Sequence, residues 1–280
     1  ILETNGNFTL DGATVSAGDS SLTFIKNNNN FDYNVSLSPQ TADNIKITST
    51  QGNVTATNKT NLNAKTDIDL ISKTGDVTVG NNTLITAGRD ANLTAQKNVT
   101  IKNSLDSNSS ANPQTKIEAG RNANILAKTG DVTIKMDTQK TGNGGVIAKT
   151  DVNIEATQGA LHIGDNANIL ADNDINIKSY ETITFGPQGA NNINIDNTTK
   201  IAAGKYVNIT STNGDINAEK TTMPTIEYGQ RLTFNAKGSN NFTSEDSLKS
   251  VNVDYIAGTA NNFTTKGDIQ FVNSSLKSKN

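Results

Sequence analysis

The chain has 280 residues, with 24 Lys and Arg against 27 Asp and Glu, and it contains no Cys, no Trp and a single His. A net charge of −3 lacks the basic excess of nucleic-acid-binding proteins, and the missing Cys excludes disulfide frameworks, thiol catalysis and Cys-ligated zinc. No apolar run approaches the ~18 residues of a membrane-spanning helix, so we expect no transmembrane segment.

The composition also predicts a thin core of small aliphatic side chains. Only 33% of residues are hydrophobic and 5% are aromatic, whereas 42 Asn and 38 Thr make up 29% of the chain. With 4 Pro and little net charge, the chain does not match a disordered linker. It begins with Ile1 and shows no signal-peptide pattern, so we expect a fragment of a longer protein.

The pattern along the chain predicts one continuous solenoid in three parts. Residues 1–41 are expected to form irregular coils, 42–218 regular coils, and 219–280 coils that are richer in aromatic residues. Aromatic residues of the two end parts are expected in the core of thicker coils, with end caps as the alternative. They are Phe8, Phe24, Phe31, Tyr33, Tyr228, Phe234, Phe242, Tyr255, Phe263 and Phe271.

A nine-residue repeat defines the regular part. Each copy starts with Ala and turn residues, continues with alternating strand residues and ends in Ala or Ser. The six clear copies occupy residues 64–72, 87–95, 119–127, 148–156, 171–179 and 203–211. With a seventh copy that ends at residue 49, successive copies end 23, 23, 32, 29, 23 and 32 residues apart. The base period is therefore 23, with additions of 9, 6 and 9 residues.

The side chains within each copy alternate with a period of two, as in a β-strand. One face carries aliphatic residues followed by a small one, for example Ile68, Leu70 and Ser72. The other face carries one polar column, formed by Asp69, Asn92, Asn124, Asn153, Asn176 and Asn208. This column is either a ladder of hydrogen-bonded amides or a set of polar side chains that simply tolerate solvent.

Two further strands complete each coil. One follows the repeat, as at residues 54–56, 77–79, 132–134, 161–163 and 216–218, and a weaker one precedes it. Between the first two strands stands a Gly such as Gly75, where we expect a tight corner with a left-handed backbone. Three short strands in ~23 residues predict an all-β protein, a parallel β-helix in which each strand pairs with its equivalent in the next coil.

The three additions to the period have visible places in the sequence. Residues 103–116 and 137–145 are rich in turn formers, and 186–195 form either a longer loop or an extra pair of strands. Insertions in a solenoid emerge as loops on one face, which is often the binding face. The alternative is that they are surface loops without a binding role.

The titratable residues form no catalytic constellation. His162 is expected to point outward into solvent, because strand residues alternate between the two faces. Asp76, Asp131 and Asp215 share a Gly-Asp corner but belong to non-adjacent coils, so Asp76 should lie beside Asn53 rather than another carboxylate. The sequence lacks paired acids for glycoside hydrolysis and the known Ca²⁺ and phosphate motifs. We therefore predict no catalytic, cofactor-binding or metal site, and no cofactor.

One corner column is basic. Arg89, Arg121 and Lys205 occupy equivalent positions, with Lys65 and Lys149 one position earlier. The column is either a weak site for anionic glycans or a set of solvated turn residues that nearby Asp side chains neutralise.

The segments AGRDANLTAQKNVTI, AGRNANILAKTGDVTI and AGKYVNITSTNGDINA resemble the repeats of filamentous-haemagglutinin-type exoproteins. These are large secreted proteins of bacterial two-partner secretion systems, among them adhesins and contact-dependent growth-inhibition effectors. The resemblance covers about residues 42–218. It implies a right-handed β-helix, export through an outer-membrane transporter, display at the bacterial cell surface and no catalysis in the repeat region.

The function expected first is a non-catalytic structural and adhesive segment of a secreted surface filament. Its partner is expected to be a protein or glycan receptor on host or neighbouring bacterial cells. The alternative within the same family is the stalk or receptor-binding portion of a growth-inhibition toxin. A polysaccharide-degrading β-helix enzyme is the third hypothesis, which the scarcity of aromatic residues in the middle coils disfavours.

Overall fold

The computed structural model describes residues 43–103, 115–136, 144–164, 167–186, 200–219 and 232–279, together with 2–4, 6–11, 14–17, 24–26 and 31–32. Every regular element in these ranges is a β-strand of two to five residues, because Val, Ile, Thr and Asn alternate with a period of two and turn residues interrupt each run.

The strands are short and evenly distributed along the chain. Those in the first 103 residues are Leu2–Thr4 (β1), Phe8–Asp11 (β2), Thr14–Ala17 (β3), Phe24–Lys26 (β4), Phe31–Asp32 (β5), Ile45–Ser49 (β6), Val54–Thr57 (β7), Asn61–Ala64 (β8), Ile68–Ser72 (β9), Val77–Gly80 (β10), Leu84–Ala87 (β11), Ala91–Ala95 (β12) and Val99–Asn103 (β13). Those that follow, up to residue 219, are Lys116–Ala119 (β14), Ala123–Ala127 (β15), Val132–Met136 (β16), Gly145–Ala148 (β17), Val152–Ala156 (β18), Leu161–Ile163 (β19), Asn168–Ala171 (β20), Ile175–Ser179 (β21), Ile183–Phe185 (β22), Lys200–Ala203 (β23), Val207–Ser211 (β24) and Ile216–Glu219 (β25). The remaining ones are Leu232–Ala236 (β26), Asn240–Ser244 (β27), Leu248–Val251 (β28), Val253–Ala257 (β29), Asn261–Thr265 (β30), Ile269–Val272 (β31) and Ser275–Ser278 (β32).

The strands form three sheets in which all neighbours are parallel. Sheet 1 has the order β30-β27-β24-β21-β18-β15-β12-β9-β6-β1-β4, sheet 2 the order β31-β28-β25-β22-β19-β16-β13-β10-β7-β2-β5, and sheet 3 the order β3-β8-β11-β14-β17-β20-β23-β26-β29-β32. From β6 onward each coil supplies one strand to each sheet in turn. The fold is a right-handed parallel β-helix with three strands per coil, which confirms the predicted fold class.

The register of the strands is the one that the repeat predicts. Leu93 pairs with Leu70 in the coil below and with Ile125 in the coil above. All three side chains are buried and belong to one continuous aliphatic core. The equivalent residues of successive coils therefore stack directly on each other.

The additions to the period leave this register intact. Ala95 pairs with Ala127 although they are 32 residues apart, and Ser179 pairs with Ser211 in the same way. The extra residues are therefore inserted between strands and not within them. The segments 104–114, 137–143 and 187–199, which contain most of the three predicted insertions, lie outside the described residues.

Aromatic rings replace aliphatic side chains in the C-terminal coils. Phe234 stacks on Tyr255 with ring centroids 5.3 Å apart and meets Phe242 edge-on at 4.9 Å. Phe263 and Phe271 continue the stack into the last coil, 4.9 Å from each other. Phe234, Phe242 and Tyr255 are buried, which confirms the core prediction for these three, whereas Phe263 and Phe271 are partly buried against the core. The predicted positions whose side chains lie outside the described part are Phe24, Phe31, Tyr33 and Tyr228.

The prediction of a left-handed backbone at the glycines between sheets 1 and 2 is wrong. These glycines lack the expected left-handed backbone, since the glycines with positive φ in the described ranges are Gly145 and Gly186. Gly75 is required by the closeness of the coils instead, because a Cβ there would lie 2.2 Å from Asn53 Oδ1 and 2.7 Å from the Gly52 carbonyl oxygen. The left-handed non-glycine residues lie at the corner between sheets 2 and 3, and they are Asn58, Lys59, Asn81, Asn82, Asn252 and Asn273.

At the N-terminal end the chain order and the spatial order differ. Strands β4 and β5 pair with one edge of β1 and β2, while β6 and β7 pair with the other edge. Sheet 3 has β3 as its outermost strand at this end. A partial coil therefore lies beyond the first coil on two of the three sheets.

The stacked core predicts a large effect of one truncation. Leu93→Ala removes a buried side chain from between two others, and we expect a loss of about 2–5 kcal/mol in the free energy of unfolding, measured in urea. Thr94→Ala on the outer face of the same strand is the control, for which we expect a change of at most about 0.5 kcal/mol. Equal effects of the two substitutions would contradict the assigned faces of the strand.

Candidate functional site

The polar column on the outer face of sheet 1 is a continuous ladder of amides. Asn124 Nδ2 donates to Asn92 Oδ1 at 2.8 Å, and Asn153 Nδ2 donates to Asn124 Oδ1 at 2.9 Å. The same bond, 2.8–2.9 Å long, joins every successive pair in the series Asp69, Asn92, Asn124, Asn153, Asn176, Asn208, Asn241 and Asn262. In-register strands place each amide above the previous one, so the ladder interpretation of this column is confirmed.

All bonds of the ladder point the same way, with each amide donating toward the N-terminal coils. Asp69 ends the ladder there, because its carboxylate accepts a hydrogen bond from Asn92 at 2.8 Å and carries no donor for a further bond. At the opposite end Asn262 donates to Asn241 at 2.8 Å. Hydrogen bonds aligned in a row polarise one another, so the ladder stiffens the outer face of sheet 1.

Both arginines of the basic corner column are paired with carboxylates. Arg89 Nε donates to Asp67 Oδ1 at 2.8 Å, and Arg89 Nη2 contacts the second oxygen of the same carboxylate. Arg121 and Asp90 repeat this arrangement one coil further on. The arginine hydrogen bonds are the main cause that lowers the pKa of both Asp67 and Asp90. Lys65 also lies near a carboxylate, with its Nζ 3.9 Å from Asp43 Oδ1.

The Gly-Asp corner uses its carboxylates to hold the coils together. The Asp76 amide donates to Asn53 Oδ1 at 2.8 Å, as expected from the register. Asp76 Oδ1 in turn accepts from the Asn98 amide at 2.9 Å, and Asp131 Oδ1 accepts from the Ala160 amide at 2.9 Å. These oxygens satisfy backbone donors that the corners would otherwise leave unpaired.

The prediction that His162 is exposed to solvent is wrong. Its position in β19 places it on the outer face, yet only 6% of its surface is exposed and it is not a solvated residue. Neither ring nitrogen has a hydrogen-bond partner among the described residues. Burial, followed by the positive charge of Lys135, lowers the pKa of His162 from 6.5 to about 4. A Cβ on Gly164 would lie 3.1 Å from His162 Nε2, so the ring covers that part of the backbone.

An open groove of about 330 Å³ lies on the outer face of sheet 3. Its floor is formed by Ile147, Leu170 and Ala202, which are equivalent residues in successive coils. Asp172 and Lys237 line it with opposite charges. The groove is open to solvent, combines an apolar floor with charged side chains, and was not indicated by the periodicity of the sequence.

Within the described ranges, no group of three or more His, Asp or Glu side chains is placed to hold a metal ion. Over the same part of the chain, no helix is long and apolar enough to cross a membrane. A comparison with protein-family models, with curated proteins and with solved structures finds no match. The outer columns and the groove are therefore the basis on which a function can be proposed.

The ladder predicts a cost for removing an interior amide. Asn153→Ala breaks two of its hydrogen bonds and leaves Asn124 Oδ1 and Asn176 Nδ2 unpaired, so we expect a loss of about 1–3 kcal/mol in the free energy of unfolding. Asn262→Ala at the end of the ladder breaks one bond and should cost less than half as much. If Asn153→Ala were no more costly than Asn262→Ala, the ladder would have no role in stability.

The single His allows a direct test of its burial. We expect the imidazole, followed by NMR of its Cε1 proton, to titrate near pH 4 and not near 6.5. As the pH falls below about 6.5 the unfolded chain takes up this proton first, so stability is lost down to about pH 4, by at most about 3 kcal/mol. His162→Gln should remove this part of the pH dependence in urea unfolding. A midpoint near 6.5 would show that the ring is solvated.

Proposed function

We propose that this chain is a non-catalytic structural and adhesive segment of a large secreted bacterial surface filament that mediates contact with other cells. The observation that carries the proposal is the uninterrupted stack of coils. Sheets of 10 and 11 strands at the usual strand spacing span roughly 50 Å. Each added coil lengthens such a rod without enlarging its core, so the architecture suits a segment that holds a contact surface away from a cell.

Secretion through an outer-membrane transporter of the two-partner kind agrees with this architecture. Each coil is stabilised by its direct neighbours, so folding can proceed coil by coil from one end of the chain. The absence of Cys means that folding requires no disulfide chemistry after export. Both properties support, and neither requires, a place at the bacterial surface.

The polar side chains on the outer faces support a structural role in preference to catalysis. The ladder amides pair with each other, and the arginines of the basic corner pair with Asp67 and Asp90. The carboxylates of Asp76 and Asp131 accept backbone hydrogen bonds. Groups that are used in this way are not free to act as an acid and base pair across a substrate.

The groove on sheet 3 is the described surface that we assign to receptor contact. Its floor of Ile147, Leu170 and Ala202 is apolar and can contact an apolar group of a protein or glycan. Asp172 and Lys237 line the groove and can orient a polar group of the same receptor. The surface is small, so the affinity of a single segment should be modest.

Cell binding tests the proposal. The folded chain, fluorescently labelled, should bind saturably to host cells or extracellular matrix, and the urea-unfolded chain, labelled in the same way, should not. Ala202→Arg, which fills the floor of the groove, should reduce the binding, whereas Thr94→Arg on the outer face of sheet 1 should leave it unchanged.

Two other outcomes would change the assignment. Binding to sibling bacteria alone, lost when one outer-membrane protein is deleted, would favour a stalk or receptor-binding role in a growth-inhibition toxin. Depolymerisation of an acidic polysaccharide by the purified chain would contradict the non-catalytic proposal.

A further inference from the structure

The groove on the outer face of sheet 3 has an apolar floor that runs along the axis of the solenoid. Ile147, Leu170 and Ala202 follow each other in three successive coils, one strand step apart. Their side chains are half-buried, so each still presents apolar surface to solvent. The central outward column of sheet 1 is instead the polar amide ladder. An apolar group of a partner that lies on the floor of the groove therefore gains by leaving water.

Three cationic side chains and one anionic side chain accompany this floor. The outer face of β17, β20, β23 and β26, with the residue that follows each strand, has as its charged positions Lys149, Asp172, Lys200 and Lys237. Lys149 and Asp172 are neighbours in one column at the corner between sheets 3 and 1. In the same column Gly204 separates Asp172 from Lys237. Three positive charges and one negative charge give this face a local net charge of +2, although the whole chain carries −3.

These four charges are not used by the protein itself. All four residues are exposed, and within the described ranges their side chains form no ion pair and no hydrogen bond. The preceding coil of the same face shows the opposite arrangement, because Lys116 and Glu118 form an ion pair there. The groove thus combines unpaired charge with an apolar floor, and a partner of complementary charge can satisfy both.

We propose that this groove binds an extended acidic segment of a protein receptor, with carboxylates facing Lys149 and Lys237 and aliphatic side chains on the floor. The inference rests on the proposed function, because it names the class of receptor for the same groove.

The chemistry of the floor favours a protein segment over a glycan. The lining residues in the described part of the chain include no aromatic side chain, so the groove offers no flat ring face on which a sugar could stack. A sugar laid on Ile147 and Leu170 would also leave hydroxyl groups against apolar atoms without hydrogen-bond partners, which is costly. An aliphatic side chain has no such groups to satisfy.

The spacing of the charges defines the pattern of the bound segment. Lys149 and Lys237 are three strand steps apart, which is roughly 14 Å along the axis, and residues i and i+4 of an extended chain are separated by the same distance. Residue i+2 then lies opposite Asp172 and Gly204, where a carboxylate would be repelled. Residues i+1 and i+3 point to the other side, toward the floor. The segment therefore has the pattern acid, aliphatic, neutral, aliphatic, acid.

Peptide titration tests this pattern directly. The probe is the acetylated and amidated peptide Asp-Leu-Ser-Leu-Asp, and the control peptide is Lys-Leu-Ser-Leu-Lys, which has the same apolar side chains and the opposite charge. In NMR spectra of the 15N-labelled chain, the acidic peptide should shift the amide signals of Leu170 and Ala202 with a Kd of about 1 mM. The basic peptide should bind at least about tenfold more weakly, although the net charge of the chain favours it.

A charge reversal and its matched control locate the contact. Lys237→Glu should raise the Kd of the acidic peptide at least about threefold, because it replaces an attraction with a repulsion. Lys128→Glu, an exposed residue at the corner between sheets 1 and 2, changes the net charge equally and should leave the Kd within about 1.5-fold. The Lys237→Glu variant should in turn prefer Asp-Leu-Ser-Leu-Lys to the acidic peptide by at least about threefold. Circular dichroism should show that both variants keep the fold.

Treatment of the target cells separates this inference from the proposed function. Binding of the folded chain should be lost after trypsin removes surface proteins from the cells, and it should persist after periodate oxidises their glycans. The reverse result would overturn the protein segment and leave the adhesive role intact. Peptide binding of the expected pattern without any binding to cells would contradict the proposed function and support the inference.

Three results of the titrations would overturn the inference. The amide signals of Leu170 and Ala202 could remain unshifted up to roughly 5 mM acidic peptide. The acidic and basic peptides could bind equally well. Lys128→Glu could weaken binding as much as Lys237→Glu, which would show that the charge of the whole chain, and not the groove, determines the affinity.

Discussion

One spacing governs this molecule: each coil lies a single strand separation, roughly 4.8 Å, above the coil before it and in register with it. At that distance every side chain has its own equivalent as its nearest neighbour. Inward positions form columns of aliphatic residues. In outward columns, each polar or charged side chain either forms a hydrogen bond or ion pair with a side chain of the next coil or is repelled by it. The Asn ladder exists because an amide side chain carries both a donor and an acceptor, so it can accept from the coil above and donate to the coil below. Gly75 follows from the same spacing, because a Cβ there would overlap the coil below.

Stability in such a stack is a sum of contacts between adjacent coils, and this determines where function can be located. Insertions between strands leave the register unchanged, as the pairing of Ala95 with Ala127 shows. The strands of interior coils are paired on both edges, so the residues on their outer faces can vary without loss of the core. The groove on the outer face of sheet 3 is therefore the surface to which we assign contact with other molecules.

The sequence predicted the fold because two periods, two within a strand and 23 between coils, specify it almost completely. For the polar column that contains Asn153, the sequence left two alternatives open, a ladder of hydrogen-bonded amides or side chains that simply tolerate solvent. Alternation along a strand gives the face on which a side chain lies, but it does not give its hydrogen-bond partner. For His162 the predicted outer face is right, but the expectation that it is solvated is wrong for the same reason, because alternation does not show that neighbouring groups cover the ring. Asn240 occupies an inward, buried position of β27, where its Nδ2 donates to Asn261 Oδ1 at 2.8 Å. Only coordinates show such a pair, because neither residue alone indicates it.

Electron paramagnetic resonance distances between spin labels test the stacked register most directly, because the chain has no Cys of its own. On the outer face of sheet 2, Thr55 and Thr184 are five strand steps apart, and Lys249 lies two steps beyond Thr184. Labels at Thr55→Cys and Thr184→Cys should be separated by roughly 24 Å, and labels at Thr55→Cys and Lys249→Cys by roughly 34 Å. Distances that do not increase by about 5 Å per coil would contradict the register on which the whole account depends.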